Sequence, residues 1–486
     1  MHLIDRIDRW GRETPDRPAH ISGDRVLTYG ELLARSNTLA AWIQNAMGDN
    51  YGPVACLGHK EPEMLVAFLG TVKSGRPYVP IDLSLPPQRM DAIIHTADAA
   101  ITLLSDRVAA IVEEGAEAQC QRVEGDEPFY IIFTSGSTGE PKGVVITLAN
   151  LTAFVDWMLA EQSFAESAET FLNQAPFSFD LSVMDLYLSL VTGGTLFSIT
   201  KDDIANLKVL YQKLACSGVT TWVSTPSFAQ MCLIERSFNE AMMPQLRRFL
   251  FCGETLAPET ASQLLDRFPQ AHVWNTYGPT EATVATSSVR IDRDVLAKHS
   301  PLPVGYAMPG TRLLICDEKG EPVPAGERGE LVIAGPNVSP GYLRREDLTQ
   351  RAFSIREGAR AYRTGDWARE SDGLFFCEGR MDGQIKLFGY RIELGDIESN
   401  LRMLPEIADA VVLPVMKLGK AESIAAFVVL AVEKSGSDFE MAAQLKTALG
   451  VRLPAYMLPR KFHFLDAFPM TENGKADRRA LAARLA

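Results

Sequence analysis

A loop at residues 130–143 (YIIFTSGSTGEPKG) carries the residue types that bind polyphosphate. Gly136 and Gly139 allow tight backbone turns and close approach to a ligand, so that successive N–H groups can form an anion-binding concavity. Hydroxyl donors lie between and beside them, and Lys142 adds a mobile positive charge at the end of the loop. We therefore predict a phosphate-binding loop that follows a buried strand.

This loop differs from two well-known nucleotide-binding motifs. Pro141 stands five residues after Gly136, and the chain has no Gly-Lys-Ser/Thr triplet, so the Walker A pattern does not fit. The GxGxxG pattern of dinucleotide-binding folds is also absent. For the segment taken alone, a flexible surface loop rich in small residues remains an alternative.

The composition narrows the class of protein. Net charge is −13, with 61 acidic and 48 basic residues, which disfavours a general partner for nucleic acid or anionic membranes. The seven cysteines are scattered without a CxxC pair, which suits a reducing compartment. The longest apolar run, 424–432, is too short to span a bilayer, and Asp5 and Asp8 interrupt any signal peptide. We predict a cytoplasmic enzyme with no nucleic-acid partner and no membrane insertion.

Periodicity along the chain predicts the elements that must position the loop. Apolar residues recur at helical spacing over 29–47, and short strands then alternate with helices to about residue 290, a pattern typical of parallel α/β architecture. Residues 312–335 favour a small antiparallel subdomain. We predict a mixed α/β fold, with a large N-terminal domain over 1–381 and a small mobile α+β C-terminal domain over 382–486.

Short motifs spread over nearly the whole chain resemble the signature sequences of adenylate-forming enzymes, in the order in which that family carries them. The family includes acyl-CoA synthetases, luciferases and the adenylation domains of nonribosomal peptide synthetases. The segments that carry the resemblance are TSGSTGEPKG (134–143), NQAPFSFDLS (173–182), NTYGPTEAT (275–283), GELVIAGPNVSPGYL (329–343), YRTGD (362–366), GRMDGQIKLFGYRIELGDIE (379–398) and NGKAD (473–477).

Within the family, residues 173–196, 224–233, 248–256 and 453–462 are similar to the branch that ligates D-alanine to a separate carrier protein. The resemblance implies an AMP-forming ligase that makes a carbon–sulfur bond in two steps. ATP and D-alanine first give D-alanyl-adenylate, and the phosphopantetheine thiol of the carrier then takes the D-alanyl group. This reaction would begin the D-alanylation of (lipo)teichoic acid.

The resemblance also implies the nucleotide site. Asp366 would accept both ribose hydroxyls, and Glu281 would bind the Mg²⁺ that accompanies ATP. Read without the family, TGD is an ordinary turn and Glu281 a solvated charge at a helix start. The full set of ATP-binding residues implied is Thr134, Ser135, Gly136, Ser137, Thr138, Gly139, Lys142, Asn275, Thr276, Tyr277, Gly278, Pro279, Thr280, Asp366, Cys377, Glu378, Gly379, Arg380 and Lys475.

The substrate side rests on a few further residues. By resemblance, Asp180 would bind the ammonium group of the amino acid, whereas an N-cap for a helix starting at Leu181 is the structural alternative. Cys252 and Val284 would border a small side-chain pocket. Lys475 would also contact the substrate, because as the catalytic residue it reaches the α-phosphate and the carboxylate.

Asp382 is implied to be the hinge about which the C-terminal domain rotates, with a simple turn as the alternative reading. Three competing functions remain open at this point. A stand-alone enzyme could adenylate another small amino acid for a nonribosomal peptide pathway. An acyl-CoA ligase is disfavoured by Asp180, and a binder without activity is disfavoured by the joint presence of Lys475, Asp366 and Glu281.

Overall fold

Helices form where the apolar residues recur at helical spacing. In a computed structural model, which describes residues 1–116, 118, 121–136, 140–166, 169–387, 389–417, 420–432, 436–470 and 476–485, the predicted helix over 29–47 is confirmed as Tyr29–Met47. Thr28 caps it, because its hydroxyl accepts from the Glu31 N–H while the Glu31 carboxylate accepts from the Thr28 N–H. The helices are α1 (Leu3–Glu13), α2 (Tyr29–Met47), α3 (Pro62–Lys73), α4 (Pro87–Ala97), α5 (Ser105–Glu114), α6 (Leu148–Gln162), α7 (Leu181–Thr192), α8 (Lys201–Ala205), α9 (Leu207–Cys216), α10 (Pro226–Cys232), α11 (Pro258–Arg267), α12 (Arg293–Lys298), α13 (Glu346–Ala352), α14 (Leu394–Arg402), α15 (Asp438–Gly450) and α16 (Arg478–Ala482).

Strands occupy the short apolar runs between these helices. Those of the first 310 residues are β1 (Pro18–Ser22), β2 (Arg25–Thr28), β3 (Val54–Gly58), β4 (Tyr78–Asp82), β5 (Ile101–Leu104), β6 (Pro128–Thr134), β7 (Lys142–Thr147), β8 (Thr170–Asn173), β9 (Thr195–Ser198), β10 (Thr221–Ser224), β11 (Arg248–Phe251), β12 (His272–Tyr277), β13 (Ser287–Ile291) and β14 (Tyr306–Ala307). The later ones are β15 (Arg312–Cys316), β16 (Gly329–Ala334), β17 (Gly341–Tyr342), β18 (Phe353–Arg356), β19 (Ala359–Ser371), β20 (Leu374–Arg380), β21 (Gln384–Leu387), β22 (Tyr390–Glu393), β23 (Ile407–Lys417), β24 (Lys420–Leu430) and β25 (Lys461–Phe464).

The largest sheet has the strand order β14-β13-β12-β11-β10-β8-β9-β1-β2. Its interior pairs, from β1 through β9, β8, β10 and β11 to β12, are parallel, as predicted from the alternation of strands and helices. The carboxyl ends of parallel strands share one edge, and ligands of open α/β sheets bind beyond that edge. The segments after β8, β11 and β12 therefore leave the sheet on the same side.

A second sheet has the order β17-β7-β6-β4-β3-β5, with β3, β4, β5 and β6 paired in parallel. A third sheet is antiparallel, with the order β15-β16-β19-β18 and with β20 on the other part of β19. This third sheet confirms the small antiparallel subdomain. It also places Asp366 of β19 opposite Arg380 of β20 in the register of the two strands.

The described residues divide into two compact units. The first comprises Met1–Asp82, Ala97–Ile132 and Gly143–Met381. The second comprises Asp382–Ala486 together with the short segments Leu83–Thr96 and Phe133–Lys142. The division into 1–381 and 382–486 stays a prediction, because the second unit also takes up these two segments.

The second unit has its own hydrophobic core around α14, α15 and the sheet β23-β24-β25. The hairpin β21-β22 runs directly into α14. The strands β23 and β24 pair antiparallel, whereas β25 joins β24 in parallel. Among the described residues, no helix combines the length and the apolar composition needed to cross a bilayer.

His20 of β1 should make stability depend on pH. It is fully buried, its Nε2 lies 2.8 Å from the Ser198 hydroxyl, and burial, with the nearby Lys60 and Arg25 charges, lowers its pKa to about 3. Below its ordinary pKa of about 6.5, the unfolded chain takes up a proton that the folded chain excludes. The stability that neutral His20 contributes is therefore complete above that pH and is lost as the pH falls.

We expect the free energy of unfolding to fall by roughly 2 kcal/mol more in the wild type than in His20→Asn between about pH 7.5 and about pH 5. Urea unfolding at the two pH values measures this difference. Parallel losses in the two proteins would show that His20 does not carry the effect.

Candidate nucleotide and amino-acid site

Asp366 lies at the centre of a hydrogen-bonded group in the first unit. Its Oδ2 accepts a 2.5 Å hydrogen bond from the Tyr277 hydroxyl, and its Oδ1 lies 3.2 Å from the Arg380 guanidinium. Arg380 also donates to the carbonyl of Thr364 at 2.7 Å. Burial and the neighbouring Asp366 charge raise the pKa of Tyr277 well above its ordinary value, so the phenol remains a donor. The structure thus brings three predicted ATP-binding residues together around one carboxylate.

Other predicted ATP-binding residues lie along and after β12, and two of them direct their side chains to backbone carbonyls. The Asn275 amide donates to the carbonyl of Pro303 at 2.7 Å, and the Thr276 hydroxyl donates to that of Phe251 at 2.9 Å. At Gly278, an added Cβ would come within 2.6 Å of the Ala285 Cα, so this position requires glycine. Pro279 precedes the short 3₁₀ turn Thr280–Ala282, in which Thr280 is buried. Because these side chains are occupied, a ligand at this segment would meet its backbone groups.

Glu281 is fully buried, and its carboxylate accepts a 2.7 Å hydrogen bond from the Tyr342 hydroxyl. Tyr342 belongs to β17, which pairs with β7 directly after the predicted phosphate loop. Among the described residues, no three His, Cys, Asp or Glu side chains converge as a metal cluster. A lone carboxylate of this kind fits an ion held mainly by substrate phosphates, as Mg²⁺ usually is.

Thr283 and Val284 adopt left-handed backbone conformations, with φ of 53° and 68°. For β-branched residues this region is strained, and such strain is concentrated at functional sites. The Cys252 thiol, on the segment after β11, donates toward the Val284 carbonyl at 3.5 Å. The left-handed backbone at Val284 therefore places its carbonyl beside the Cys252 thiol, and these are the two residues predicted to border the pocket. Residue types alone did not predict this backbone conformation.

The pocket residues belong to one buried cluster in the first unit. Leu181, Met184, Leu250, Cys252 and Val284 all pack within it. These are medium or large apolar groups, and the small pocket for a substrate side chain stays a prediction.

Asp180 lies at the N-terminal end of α7, which begins at Leu181 as the sequence predicts. Its backbone is helical, and its side chain makes no capping hydrogen bond to the helix. Nearby is the hydroxyl of Tyr130, which is fully buried and has no hydrogen-bond partner among the described residues. Burial, and next the charge of Asp180, raise the pKa of Tyr130. The structural alternative, an N-cap, is therefore not what the Asp180 carboxylate does.

In the second unit, the predicted phosphate loop contacts the segment that follows β21. The Ser135 hydroxyl donates to the Arg391 carbonyl and accepts from the Glu393 N–H, each at 3.1 Å. The Lys142 ammonium lies 3.5 Å from the Glu393 carboxylate. At Gly136, an added Cβ would overlap the Glu140 carbonyl oxygen. Glycine is required there by the close approach of the Glu140 backbone.

Thr134 ends β6, and its hydroxyl is buried without a hydrogen-bond partner among the described residues. A buried hydroxyl of this kind could donate to a phosphate oxygen. The remaining loop residues, Ser137, Thr138 and Gly139, lie outside the described part of the chain.

The residues of β20 and the predicted hinge occupy less buried positions. Cys377 is half-buried, Glu378 contacts Arg369 at 2.9 Å, and Gly379 has a positive φ of 107°. Asp382 is exposed and accepts from the N–H of Gln384 at 3.0 Å, which is the geometry of a turn. The predicted catalytic Lys475 lies outside the described residues.

Comparison with known proteins identifies the family of this chain. The model of the family described as AMP-binding enzyme matches residues 7–343, and that of the AMP-binding enzyme C-terminal domain matches residues 396–475. The chain belongs to the AMP-binding enzyme family. The predicted resemblance to adenylate-forming enzymes is thereby confirmed, as is the mixed α/β fold with an antiparallel subdomain and a smaller C-terminal part.

Curated members of this AMP-binding enzyme family include full-length relatives. The D-alanine--D-alanyl carrier protein ligase of Bacillus anthracis is 45% identical over 502 residues, and that of Bacillus cereus (strain G9842) is 46% identical over 503 residues. In both cases the similarity covers 100% of this chain and 100% of the relative.

Solved structures of AMP-binding enzymes share the fold. The Vibrio cholerae adenylation domain AlmE, in complex with glycyl-adenosine-5′-phosphate, superposes with a TM-score of 0.84 at 23% identity and covers 99% of this chain and 97% of its own. A nonribosomal peptide synthetase protein containing adenylation and PCP domains superposes with a TM-score of 0.82 at 26% identity, covering 99% of this chain and 84% of its own.

Sequence reasoning missed several groups that the structure places beside the predicted residues. Tyr342 lies in the quoted segment 329–343, and its pairing with Glu281 is decided by packing, not by local pattern. Arg391 and Glu393 lie in the quoted segment 379–398. Their hydrogen bonds with Ser135 join distant parts of the chain, so no local pattern reveals them. Tyr130 is hidden in an ordinary apolar strand, and no signal in the sequence distinguishes it.

Proposed function

We propose that this chain activates D-alanine with ATP as D-alanyl-adenylate and then transfers the D-alanyl group to the phosphopantetheine thiol of a separate carrier protein. The transfer would begin the D-alanylation of (lipo)teichoic acid. The observation that carries the proposal is the full-length similarity, at 45% identity, to relatives named D-alanine--D-alanyl carrier protein ligase. The geometry around Asp366 and Glu281 supports the first step of this reaction.

The first step needs a carboxylate oxygen to attack the α-phosphorus of ATP, with pyrophosphate as the leaving group. Charge repulsion and positioning are the main barrier, so fixed donors and cations matter more than a nucleophilic side chain. In the proposal, Asp366 binds the ribose hydroxyls. Tyr277 and Arg380 support this role, because they hold its two oxygens in one orientation.

The amino acid would be held by its ammonium group on Asp180. A carboxylate at a partly buried helix end is stabilised by a cationic ligand, and a fatty acid has no amine to supply one. Cys252 and the strained Val284 carbonyl would limit the side chain to a methyl-sized group. Chirality rests on the identity of the relatives and not on these residues.

Mg²⁺ would arrive with ATP and be bound by Glu281. Tyr342 orients the Glu281 carboxylate from behind, and hydrogen bonds of this kind tune the metal affinity of the ligand. We therefore expect Tyr342→Phe to raise the Mg²⁺ concentration needed for half-maximal activity by about tenfold. A Mg²⁺ titration of amino-acid-dependent pyrophosphate exchange, at fixed ATP, measures this change.

Tyr306→Phe is the matched control, because Tyr306 is an exposed tyrosine of β14 in the same unit. An unchanged Mg²⁺ requirement in Tyr342→Phe would remove Glu281 from the proposed metal site.

In the second step the small C-terminal part would rotate about Asp382 so that the carrier's thiol can reach the adenylate. The exposed turn at Asp382 and the family's separate C-terminal domain over 396–475 support such a hinge. A catalytic Lys475 would act only in the first orientation. The carrier is a separate protein in this proposal, and the name of the full-length relatives also refers to a carrier protein.

Amino-acid-dependent exchange of pyrophosphate into ATP tests the proposed function across D- and L-amino acids. We expect exchange with D-alanine well above that with L-alanine, glycine and L-serine. Preference for glycine or L-serine would favour the alternative, a stand-alone adenylating enzyme for a nonribosomal peptide pathway. Absence of exchange with every amino acid would point to a binder without activity.

A further inference from the structure

Lys60 is a buried lysine that the chemistry above does not use. It lies between β3 and α3 and is only 1% exposed. Its ammonium group donates to the side-chain oxygen of Asn173 and to the backbone carbonyl of Ala175, and it lies 4.7 Å from the centre of the Phe177 ring. Burying a lysine is costly unless such partners are present, so a lysine here implies a specific task.

The partners of Lys60 form a wider buried network. The Asn173 amide donates to Asp185 at 2.9 Å, and the Asn173 oxygen also accepts from Ser198 at 2.8 Å. Asp185 is fully buried in α7, where burial raises the pKa of its carboxyl group well above the ordinary value, although the nearby Lys60 opposes this shift. Burial lowers the pKa of Lys60 to about 7, while the Asp185 charge opposes this shift. Either form of the amine keeps two N–H donors for its two oxygen acceptors.

Within the described part of the chain, Lys60 contacts Asn173, Ala175 and Phe177, which lie at the end of β8 and at the start of the segment that follows it. Asn173 ends β8, and residues 174–180 lead from it to α7, with Asp180 as the last residue before the helix. Within this segment the Phe179 N–H donates to the Pro176 carbonyl at 2.9 Å, and the Ser182 N–H donates to the Phe179 carbonyl at 3.0 Å. The segment is thus a succession of tight turns whose start is fixed by Lys60. A shift at Ala175 would be passed on to Asp180.

We propose that Lys60 is a positioning residue for the amino-acid site, because it fixes the segment 174–180 and thereby the place of the Asp180 carboxylate. This inference rests on the proposed role of Asp180 in binding the substrate ammonium. Lys60 itself touches neither substrate nor nucleotide in this account. Its removal should therefore weaken amino-acid binding selectively.

Lys60→Met keeps the length and the apolar stem but removes the donors. We expect the KM for the activated amino acid to rise about tenfold, with kcat and the KM for ATP changed by less than about twofold. Lys60→Gln keeps one amide donor without the charge, and we expect it to restore part of the loss, with a rise of about threefold. The pyrophosphate exchange assay, run over amino-acid and ATP concentrations, measures all of these values.

Lys73→Met is the matched control. Lys73 is another buried lysine of the first unit, and it is held by Ser36, Asn37 and Asp8, far along the chain from the segment 174–180. Lys73→Met should lower the free energy of unfolding as Lys60→Met does, but it should leave the KM for the amino acid unchanged. The proposal is overturned if both Lys60 variants keep that KM within about twofold of the wild type, or if Lys73→Met raises it equally.

A second measurement separates this proposal from the proposed function. Amide hydrogen exchange of residues 174–180 should be about tenfold faster in Lys60→Gln than in the wild type or in Lys73→Met. If the wild type shows no amino-acid-dependent exchange of pyrophosphate, the proposed function fails and the hydrogen-exchange result alone decides whether Lys60 fixes the segment. Unchanged amide exchange in both Lys60 variants would overturn the inference even in an active enzyme.

Discussion

Lys475→Ala is expected to reduce amino-acid-dependent pyrophosphate exchange by about 10²–10³-fold, because a fixed cation at the developing negative charge would be lost. The affinity for ATP should change by less than about threefold, since the other residues proposed to bind ATP, among them Asp366 and Lys142, remain. Exchange kinetics give the first value, and equilibrium binding of a non-hydrolysable ATP analogue gives the second.

Lys446→Ala provides the control for Lys475→Ala. Lys446 is an exposed lysine of α15 in the same unit, so its removal changes the net charge equally without touching the proposed site. Exchange activity in Lys475→Ala close to that of Lys446→Ala would contradict the assignment of Lys475 as the catalytic residue.

Asp180→Asn is expected to lower kcat/KM for the amino acid by about 10²–10³-fold, because the substrate ammonium would lose its charged partner. The loss should depend on the amine. With propionate, which matches alanine but lacks the amine, the wild type and Asp180→Asn should have equally low activity. The measurement is adenylate formation with both acids in both proteins.

Asp202→Asn is the control for Asp180→Asn, since Asp202 is an exposed aspartate in the first turn of α8. A uniform loss of activity with both acids would mean that Asp180 supports the fold of the segment and does not bind the ammonium group. The double variant Lys60→Met/Asp180→Asn then tests whether Lys60 acts through Asp180. Its kcat/KM for the amino acid should be little lower than that of Asp180→Asn alone.

Much of the fold follows from local pattern. Helical spacing over Tyr29–Met47 indicates a helix with one buried face, and the short continuous apolar runs of β3, β10 and β11 are typical of strands buried on both faces. The hairpin β21-β22 and the helix α14 are adjacent in sequence, so their order was also predictable. The strand order in the large sheet could not be predicted, because β8 and β10 are neighbours in the sheet although several elements separate them in the chain.

The candidate site also contains some features that could be predicted from local sequence and others that could not. A motif within one loop can be recognised from the sequence, because its residues contact near neighbours in the chain. Gly136 is an example, since a side chain there would overlap the Glu140 carbonyl oxygen. Pairings between distant segments cannot be recognised in this way, and Glu281 with Tyr342 is one such pair. Lys60 is the clearest case: in the sequence it is a lysine between two ordinary elements, and its burial depends on Asn173 and Ala175, which are more than a hundred residues away. The left-handed backbone at Val284 likewise results from packing, since valine resists it locally.

The central claim is that this chain both activates D-alanine and delivers it to a separate carrier. Intact mass measurement of a purified carrier protein tests it, with ATP, Mg²⁺ and either D-alanine or L-alanine present. The account predicts one D-alanyl group on each phosphopantetheine-bearing carrier, much slower loading with L-alanine, and none on a carrier without the phosphopantetheine arm. Formation of the adenylate without any transfer, or faster loading with glycine or L-serine than with D-alanine, would contradict it.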